Sequence, residues 1–516
     1  MRRLVPAMLL VALAPAPRTG HAQATRDVVI LYTNDFHTAL NPIPAYWRPG
    51  SPRLGGAAWL AGLVDRVRTQ ERTVFLFDAG DMFTGMTSYV TRGEMLMEMM
   101  RAMRYDAFGI GNHEFDYGAD NFERQMARVP YPVLGANIYY KGTRHRYSRP
   151  YVILERDGVR LAVIGIIGED ARSVALPSGV ANLDFEDPAT AIAPLVRELR
   201  PQVDLVVVLA HQGKTGPMQT DAEARPEVQR DFDEDIRLAG AVPGIDVLVG
   251  GHAHRGIEVP YVHPRTGTII VQTYGYGTRL GYLKLRLAGG RVTGHEGRLL
   301  EVWTDSIAPD SAVAAVVAAY RARMPDSLTA VVGTTRLRLT RDYRRESPLG
   351  DFVADVLRTT TGAEIGFENA GGLRADIPEG AVTRADIIDA LPFVNRLARY
   401  RLTGAQVREV VEQGLTLERG MIQVSGLRLD YDLTRPVGQR AVRILVGGRP
   451  LDAARTYGVG TQDFVGQGGD LYATFAGLTP DTLGVDIQGV VAQHIRSRGV
   501  IERPEGGRLV EVGPAR

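Results

Sequence analysis

The sequence predicts a layered α/β domain, a connecting helix and a second domain of mixed α+β structure. Three observations support this prediction. The chain has 516 residues, which is too long for one ordinary hydrophobic core. Apolar runs alternate with helical patterns over residues 27–303, as in α/β folds. Beyond a strongly helical stretch near residue 311, this alternation gives way to a mixed pattern.

Short apolar runs predict the strands of the first domain. They are Val28–Tyr32, Val74–Phe77, Ala107–Ile110, Leu161–Ile167, Leu205–Leu209, Val247–Val249 and Thr268–Val271. Amphipathic spacing predicts helices at Gly56–Arg68 and Ala189–Arg200. The helix Ser311–Met324 is expected to connect the domains. In the second domain we expect a helix at Gly350–Thr360 and strands at Leu397–Leu402, Val424–Tyr431, Val442–Val446 and Thr456–Gly460.

The first residues are typical of an export signal. Arg2 and Arg3 precede the apolar run Leu4–Ala14, and Ala22–Ala24 fits a cleavage site. That run is far shorter than the about 20 residues a membrane span needs, and we expect no span elsewhere. The sequence therefore predicts a periplasmic or secreted protein. Its expected parts are a signal peptide (1–24), a first domain (25–305), a linker helix (306–326) and a second domain (327–510).

Composition excludes several classes of function. There is no cysteine, so disulfides, thiolate metal sites and a cysteine nucleophile are excluded. The formal net charge is +1, which gives no basic excess for binding a nucleic acid polymer. We therefore expect a small-molecule substrate. The oligomeric state is left open by the sequence.

Polar motifs follow five of the apolar runs. Because ligands bind at the carboxyl ends of strands in α/β sheets, these motifs are expected to meet at one rim. Their candidate metal ligands are Asp35, His37, Asp81, Asn112, His211, His252 and His254. Such oxygen and nitrogen donors suit Mn, Zn, Fe or Co, and the number of donors is enough for two divalent metal ions. Two ions can polarise a phosphoryl group and deprotonate a water.

Single motifs have simpler interpretations. Asp35 alone could cap a turn, and His211 alone could be a hydrogen-bonded core histidine. The clusters Gly111–Glu114 and Gly251–His254 are more specific, because glycine-flanked polar residues after buried strands rarely serve packing.

The motifs TNDFH, DAGD, GNHEFDYG and GGHAH, in this order, resemble the calcineurin-like metallophosphoesterases, and in particular the 5′-nucleotidase family with its UDP-sugar hydrolases. The resemblance implies a β-sandwich flanked by helices. It implies Asp35, His37, Asp81 and His254 around one metal, and Asp81, Asn112, His211 and His252 around the other. It also implies His113 and Asp116 as a catalytic pair, while Glu114 is expected to be structural. Some members carry Gln where this chain has His254.

The second half carries groups suited to a nucleotide. Phe393 and Phe464 could sandwich a base, Asp470 could bind ribose hydroxyls, and the segment from Asn369 to Arg374 could approach phosphates. Taken alone, Phe393 could be a core residue and Arg374 could pair with Asp376 or Glu379. The resemblance extends over about residues 27 to 500 and favours the nucleotide site. The substrate-binding residues it implies are Arg345 (or Arg344), Asn369, Gly371, Gly372, Arg374, Phe393, Phe464 and Asp470.

Three features depart from the family pattern. Leu471 replaces a glycine after Asp470, Asp351 replaces an asparagine and is expected to add negative charge near the phosphates, and we assign no role to the loop Asn41–Arg53. The predicted function is nucleotide phosphate hydrolysis. Sugar-nucleotide diphosphatase, 2′,3′-cyclic-nucleotide phosphodiesterase and thiosulfohydrolase activities stay open, as does a non-catalytic nucleotide-binding role.

Overall fold

The computed structural model describes residues 25–45, 48–213 and 232–512. The predicted signal peptide lies outside the described residues. The strands of the first domain are β1 (Arg26–Thr33), β2 (Ile43–Pro44), β3 (Arg53–Leu54), β4 (Val74–Asp78), β5 (Ala107–Gly109), β6 (Val133–Leu134), β7 (Ile138–Tyr140), β8 (Tyr151–Arg156), β9 (Val159–Ile167), β10 (Leu183–Phe185), β11 (Leu205–Gln212), β12 (Val247–His252), β13 (Tyr261–Val262), β14 (Ile269–Val271), β15 (Arg279–Ala288) and β16 (Arg291–Glu301).

Helices cover the outer faces of this domain. They are α1 (Ala57–Gln70), α2 (Met86–Thr91), α3 (Glu94–Met103), α4 (Ala119–Met126), α5 (Ala171–Val174), α6 (Pro188–Leu199) and α7 (Asp233–Ala241). In the part of the chain that the structure describes, none of the helices has the length and apolar character to cross a membrane.

Two six-stranded sheets pack face to face and form the predicted β-sandwich. One has the order β16-β15-β1-β4-β5-β6, and the other has the order β13-β14-β12-β11-β9-β8. Strands β1, β4 and β5 are parallel, as are β9, β11 and β12. Their carboxyl ends meet at one rim, where the polar motifs begin. The apolar side chains between the sheets include those of Ile30, Phe77 and Val207.

The predicted strands and helices of this domain are confirmed, with shifts of a few residues at their ends. The largest difference concerns β11 and β12. Each continues far enough to include its metal-ligand candidate, His211 and His252 respectively. The backbone of these two residues is therefore held by strand hydrogen bonds, which fixes the position of each side chain more firmly than a loop would.

The connecting helix α8 (Ser311–Arg321) is shorter than predicted and packs on the first domain. The Asp310 side chain accepts a hydrogen bond from the Val313 amide (2.7 Å) and so caps its N-terminus. Val313 and Val317 are buried in the core shared with α1 and α3. The Tyr320 hydroxyl donates to Glu94 of α3 (2.9 Å). The helix is thus part of the first domain's outer layer.

The second domain combines three sheets with helices. Its helices are α9 (Pro348–Thr361), α10 (Arg384–Ala390), α11 (Gly404–Gly414), α12 (Asp463–Gly466) and α13 (Ile487–Arg498). Its strands are β17 (Val331–Thr335), β18 (Ile365–Glu368), β19 (Gly380–Thr383), β20 (Arg396–Thr403), β21 (Gln423–Ser425), β22 (Leu427–Tyr431), β23 (Ala441–Val446), β24 (Arg449–Pro450), β25 (Thr456–Gln462), β26 (Thr482–Asp486), β27 (Val500–Ile501) and β28 (Leu509–Glu511). The central sheet has the order β21-β18-β25-β20-β26.

The prediction of one strand over Val424–Tyr431 was wrong. The segment divides at Gly426, which has φ 69°, into β21 of the central sheet and β22 of a separate sheet. A side chain at this position would collide with the Glu364 carbonyl. The glycine therefore allows the chain to pass from one sheet to the next.

Asp351 does not add charge near the predicted phosphate site, so that expectation was also wrong. Its side chain is buried in α9, and its Oδ1 lies 3.7 Å from Nε of Arg508. Burial raises the pKa of Asp351 to about 8, the attraction of Arg508 opposes this rise, and the nearby Glu346 and Asp355 add to it. At neutral pH the group is mostly protonated and carries little charge.

We expect Asp351→Asn to gain stability relative to the wild type as pH rises from 5 to 8. A free aspartate titrates near pH 4. The free energy of unfolding of the wild type should therefore fall as pH rises between that value and the folded pKa of about 8. These two pKa values correspond to a relative gain of about 3–4 kcal/mol over this range. Urea denaturation at several pH values measures it, with the exposed Asp305→Asn as control. A difference that does not change with pH would contradict this account.

Candidate metal centre and interdomain cleft

The structure brings all the predicted metal ligands to one rim of the sandwich. They lie at or just beyond the ends of β1, β4, β5, β11 and β12, and all are buried: Asp35, His37, Asp81, Asn112, His211, His252 and His254. Three groups of these and neighbouring side chains have donor atoms within 4.8 Å of one another. The sequence prediction of which residues assemble at the rim therefore agrees with the geometry.

The first group consists of Asp35, His37 and His254. Nε2 of His254 lies 3.1 Å from Oδ1 of Asp35 and 2.9 Å from Nε2 of His37. The Asp35 carboxylate accepts a hydrogen bond from the backbone amide of His252 (2.9 Å). This bond fixes a ligand of the first group to a residue of the second.

The second group consists of Asp81, His211 and His252, with Asn112 beside them. Nδ1 of His211 donates to the Ala79 carbonyl (2.8 Å), because a carbonyl oxygen can only accept. Its Nε2 then faces Oδ2 of Asp81 at 3.1 Å and Oδ1 of Asn112 at 3.2 Å. A positive charge is needed among these three atoms, and either a proton on Nε2 of His211 or a bound metal ion supplies it.

The electrostatics at His211 show the same preference for positive charge. Burial by itself lowers the pKa of this imidazole, but the charge and hydrogen bond of Asp81 more than offset it and raise the pKa to about 10. In the first group, burial and the neighbouring His254 and His113 hold the pKa of His37 well below its usual value. That ring is therefore neutral and offers a lone pair, as a metal ligand must.

Asp81 lies between the two groups. Its Oδ2 is 3.1 Å from Nε2 of His211 and 4.0 Å from Nε2 of His37. Among the described residues, no hydrogen-bond partner reaches Nδ1 of His252 or of His254, although both atoms are buried. The donor set, its close spacing and these two ring nitrogens fit divalent metal ions.

Backbone strain accompanies the ligands. Five of the seven have positive φ, which is unfavourable for residues other than glycine: Asp35 (51°), His37 (45°), Asp81 (60°), His252 (69°) and His254 (54°). Such strain costs of order 1–3 kcal/mol per residue and is concentrated at functional sites. The surrounding sandwich must therefore hold these turns in place.

Glycines allow the ligand turns to approach each other. A Cβ on Gly80 would lie 2.7 Å from Nδ1 of His211, and one on Gly251 would lie 2.9 Å from the same atom. A Cβ on Gly111 would collide with the Asp81 carboxylate. The glycines that flank the polar motifs in the sequence thus leave the space that the ligands occupy.

Glu114 supports these turns, as the sequence analysis expected. Its carboxylate accepts hydrogen bonds from the backbone amides of Asp81 (3.0 Å), Met82 (2.9 Å) and Gly111 (2.8 Å). The side chain is fully buried. It therefore ties the turn after β4 to the turn after β5.

His113 and Asp116 form the expected pair. Nδ1 of His113 lies 3.0 Å from Oδ1 of Asp116, so the ring donates to the carboxylate. Its Nε2 lies 3.8 Å from Oδ2 of Asp81 and accepts a hydrogen bond from Nη2 of Arg374 (3.2 Å). The imidazole is thus oriented toward the metal ligands on one side and toward the second domain on the other.

A cleft of about 940 Å³ separates the metal ligands from the second domain. Residues of both domains line it, and Asp81, Asn112, His113, Asp116, His252 and His254 come from the first. From the second domain it is lined by Asn369, Gly371, Gly372, Arg374, Phe393, Phe464 and Asp470. All but one of the predicted substrate-binding residues therefore share one cavity with the metal ligands.

The two phenylalanines are not core residues. Phe393 is half-buried, and its ring stacks on His113 with centroids 5.5 Å apart. Phe464 is half-buried as well, and a Cβ on Gly469 would come within 2.6 Å of its ring. The glycine before Asp470 therefore lets the Phe464 ring lie flat against the backbone.

Asp470 is held by a chain of amides. Its Oδ2 accepts from Nδ2 of Asn369 (2.6 Å), and Oδ1 of Asn369 accepts from Nε2 of Gln462 (2.8 Å). Asp470 and the following Leu471 have φ of 49° and 66°. Leu471 stands where the family usually has glycine. Leucine thus occupies a left-handed position that glycine takes without strain.

Arg345 is the predicted residue that does not line the cleft. Its side chain is exposed, whereas Arg341 and Tyr343 of the same loop line the cavity. Arg374 does not pair with Asp376, which instead binds Arg338 (2.9 Å). The loop contains several arginines, and their spacing alone could not tell which one turns inward.

Tyr276 and Arg419 also lie near the metal ligands but were not predicted from the sequence. The Tyr276 ring lies 5.1 Å from that of His37, just after β14, another strand that ends at the same rim. Its position after a strand could have identified it. Arg419 contacts His252 from the second domain, and no local sequence signal points to it.

We expect Gly111→Ala to lose metal, because its Cβ would meet the Asp81 carboxylate and the neighbouring backbone. The metal content of the purified variant, measured by mass spectrometry, should fall well below that of the wild type. The control is Gly294→Ala in β16, where a Cβ meets nothing within 4 Å. Circular dichroism checks that both variants fold. Unchanged metal content in a folded Gly111→Ala variant would contradict this packing argument.

Comparison with known proteins agrees with both halves of this description. A family model for the calcineurin-like phosphoesterases matches residues 28–256, and one for the 5′-nucleotidase C-terminal domain matches residues 328–477. The chain is 29% identical to human 5′-nucleotidase, and the alignment covers 98% of this chain and 94% of that protein.

Two further comparisons concern bacterial proteins. The trifunctional nucleotide phosphoesterase protein YfkN of Bacillus subtilis is 28% identical over 94% of this chain, which spans 35% of that protein. The crystal structure of a 5′-nucleotidase precursor from Thermus thermophilus is 27% identical with a TM-score of 0.83, covering 94% of this chain and 99% of that one. A calcineurin-like phosphoesterase domain therefore precedes a second domain of the 5′-nucleotidase C-terminal type, and the chain is similar to 5′-nucleotidases over nearly its whole length.

Proposed function

We propose that this chain is an exported hydrolase that releases phosphate from nucleotides with the help of two divalent metal ions. One observation carries the proposal. A single cleft is lined on one side by four of the seven metal-ligand candidates and on the other by two aromatic rings and a carboxylate. A nucleotide has the matching parts: a phosphate for the metals, a base for the rings and ribose hydroxyls for the carboxylate.

The proposed metal sites share Asp81. Asp35, His37 and His254 would complete one site, and Asn112, His211 and His252 would complete the other. The chemistry that two such cations supply when bound is polarisation of the phosphoryl group and acidification of a water. Mn, Zn, Fe and Co all suit these ligands.

His113 and Arg374 are proposed to act on the phosphate itself. They meet at 3.2 Å beside Asp81, so both groups face the place where phosphoryl oxygens would lie. Asp116 holds the imidazole in a fixed orientation. Burial lowers the pKa of His113, but Asp116 and Asp81 more than offset this and raise it, so the ring can carry a proton on Nε2. The protonated ring and the Arg374 guanidinium would then donate to phosphoryl oxygens on which charge develops.

The nucleoside is proposed to bind between Phe393 and Phe464, with Asp470 on the ribose. Stacking of a base on an aromatic ring contributes about 1–3 kcal/mol per base in single-strand binding. Asn369 donates to the Asp470 carboxylate, and Gln462 donates to Asn369. This chain of hydrogen bonds holds the carboxylate in one orientation. Export is supported by residues 2–24 of the sequence.

The test is phosphate release by the purified chain from residue 25 onward. Substrates are AMP, UDP-glucose, a 2′,3′-cyclic nucleotide, a non-nucleotide phosphate ester and a thiosulfate ester, each with added Mn²⁺ and with a chelator. We expect chelator-sensitive hydrolysis of nucleotides, because the metals activate the nucleophile. If only a non-nucleotide ester is cleaved, the nucleotide assignment is wrong. If AMP binds without turnover, the enzyme assignment is wrong.

Replacing both Phe393 and Phe464 by alanine tests the base site. We expect KM for AMP to rise at least tenfold, since two stacking contacts are lost. Phe393 also touches His113. Hydrolysis of the non-nucleotide ester therefore serves as the control for the chemical step and should change little. An equal loss on both substrates would mean that the rings support the chemistry and not the base.

A further inference from the structure

Tyr276 is an aromatic residue of the cleft that the proposed mechanism does not use. It belongs to the loop between β14 and β15 and is half-buried. Its ring centroid lies 5.1 Å from that of His37 and 5.5 Å from that of His254. It lines the same cavity as His113 and Arg374. The side chain therefore packs against two metal-ligand candidates and also faces the cleft.

The backbone of Tyr276 is strained. Its φ is 53°, and the glycines on either side, Gly275 and Gly277, have φ of 83° and 60°. A positive φ is favourable for glycine but is an outlier for a bulky side chain. Such outliers persist only where the surrounding structure holds them, and they are concentrated at functional sites. A tyrosine at this position therefore calls for a functional explanation.

Hydrogen bonds tie this loop to the turn after β1. The Tyr276 amide donates to the Asp35 carbonyl (2.8 Å). Oδ1 of Asn34 accepts from the amide (2.8 Å) and from the hydroxyl (2.7 Å) of Thr273. A Cβ on Gly275 would lie 3.0 Å from the same Asp35 carbonyl, so the close approach of loop and turn depends on this glycine. Tyr276 therefore keeps a fixed position relative to a metal-ligand candidate.

The Tyr276 hydroxyl is available to a ligand. Among the described residues, no hydrogen bond involves this hydroxyl. By contrast, the hydroxyl of Tyr274 in the same loop donates to Oε1 of Glu258 (2.8 Å). Polar atoms in protein interiors normally have a hydrogen-bond partner. The Tyr276 hydroxyl can therefore donate to a substrate without breaking a hydrogen bond within the protein.

The charges around this hydroxyl are those that a phosphate would meet in the cleft. Burial raises the pKa of Tyr276, the positive charges of Arg374 and Arg341 oppose this rise, and the carboxylates of Asp35 and Asp81 add to it. Both arginines come from the second domain and line the cleft. A phosphate that extends from Arg374 to the metal ligands would therefore lie in the part of the cleft that the hydroxyl faces.

We propose that Tyr276 is a substrate-contacting residue, whose hydroxyl donates a hydrogen bond to a phosphoryl oxygen beside Asp35, His37 and His254. The inference rests on the proposed function only in that it takes the substrate to be a phosphate bound at the metal ligands. A hydrogen bond to an ionised acceptor is stronger than one between neutral groups. The contact therefore adds to the affinity for phosphate and leaves the nucleoside site unaffected.

The test is calorimetric binding of inorganic phosphate and of adenosine to the purified chain from residue 25 onward, loaded with Mn²⁺. Tyr276→Phe keeps the aromatic ring and removes only the hydroxyl. We expect Kd for phosphate to rise about tenfold, because a hydrogen bond to an ionised group is lost. Adenosine binding should change less than about twofold, since the nucleoside site is untouched. The control is Tyr274→Phe, which removes a hydroxyl from the same loop at a residue that bonds Glu258 and does not line the cleft.

Three results would overturn the proposal. Unchanged phosphate binding by Tyr276→Phe would mean that only the ring matters, as packing against the two histidines. A lower Mn²⁺ content of this variant, measured by mass spectrometry, would mean that the hydroxyl supports the metal ligands. An equal weakening of phosphate and adenosine binding would mean that the substitution alters the cleft as a whole.

Failure of this proposal and failure of the proposed function give different results. If the wild type binds phosphate but binds no adenosine and hydrolyses no nucleotide, the nucleotide assignment fails, while the phosphate titration still decides the role of Tyr276. If nucleotides are hydrolysed but Tyr276→Phe binds phosphate as the wild type does, only the contact to Tyr276 is wrong. If the metal-loaded wild type binds no phosphate, the contact is wrong whatever the substrate.

Discussion

The close packing of buried ligand atoms on strained turns is the constraint on which the site depends. Oxygens of Asp81 and Asn112 and a ring nitrogen of His211 face one another at little more than 3 Å, and the turns that carry such ligands have left-handed backbone. Neither feature is favourable by itself. The sandwich holds the turns from below and Glu114 ties two of them together, so a cation bound among these atoms would find its ligands already in position.

The second domain forms the other side of the cleft above this rim. Its central sheet presents a cluster of loops to the metal ligands, and one cleft is lined by the groups that suit a phosphate and those that suit a nucleoside. Arg374 and Arg419 extend from this domain to His113 and His252 of the other. The two domains are therefore in direct contact beside the metal ligands.

The sequence predicts the rim well because its signals are local. A buried strand followed by a polar residue and a glycine specifies both where a ligand lies and why it can lie there, as for Gly111 and Asn112. Loop positions could not be predicted in the same way. Which arginine of residues 341–345 turns inward depends on tertiary packing, and Arg419 meets Asp170 across 249 residues of sequence. The sequence prediction that Asp351 adds charge near the phosphates was wrong, because burial in a helix cannot be inferred from one charged residue.

We propose that the rim holds two metal ions that share Asp81. Anomalous X-ray diffraction from crystals grown with Mn²⁺ tests it most directly. We expect two anomalous peaks about 3.5–4 Å apart, one beside Asp35, His37 and His254 and the other beside Asn112, His211 and His252, with the Asp81 carboxylate between them. A single peak, or peaks located away from these side chains, would contradict it.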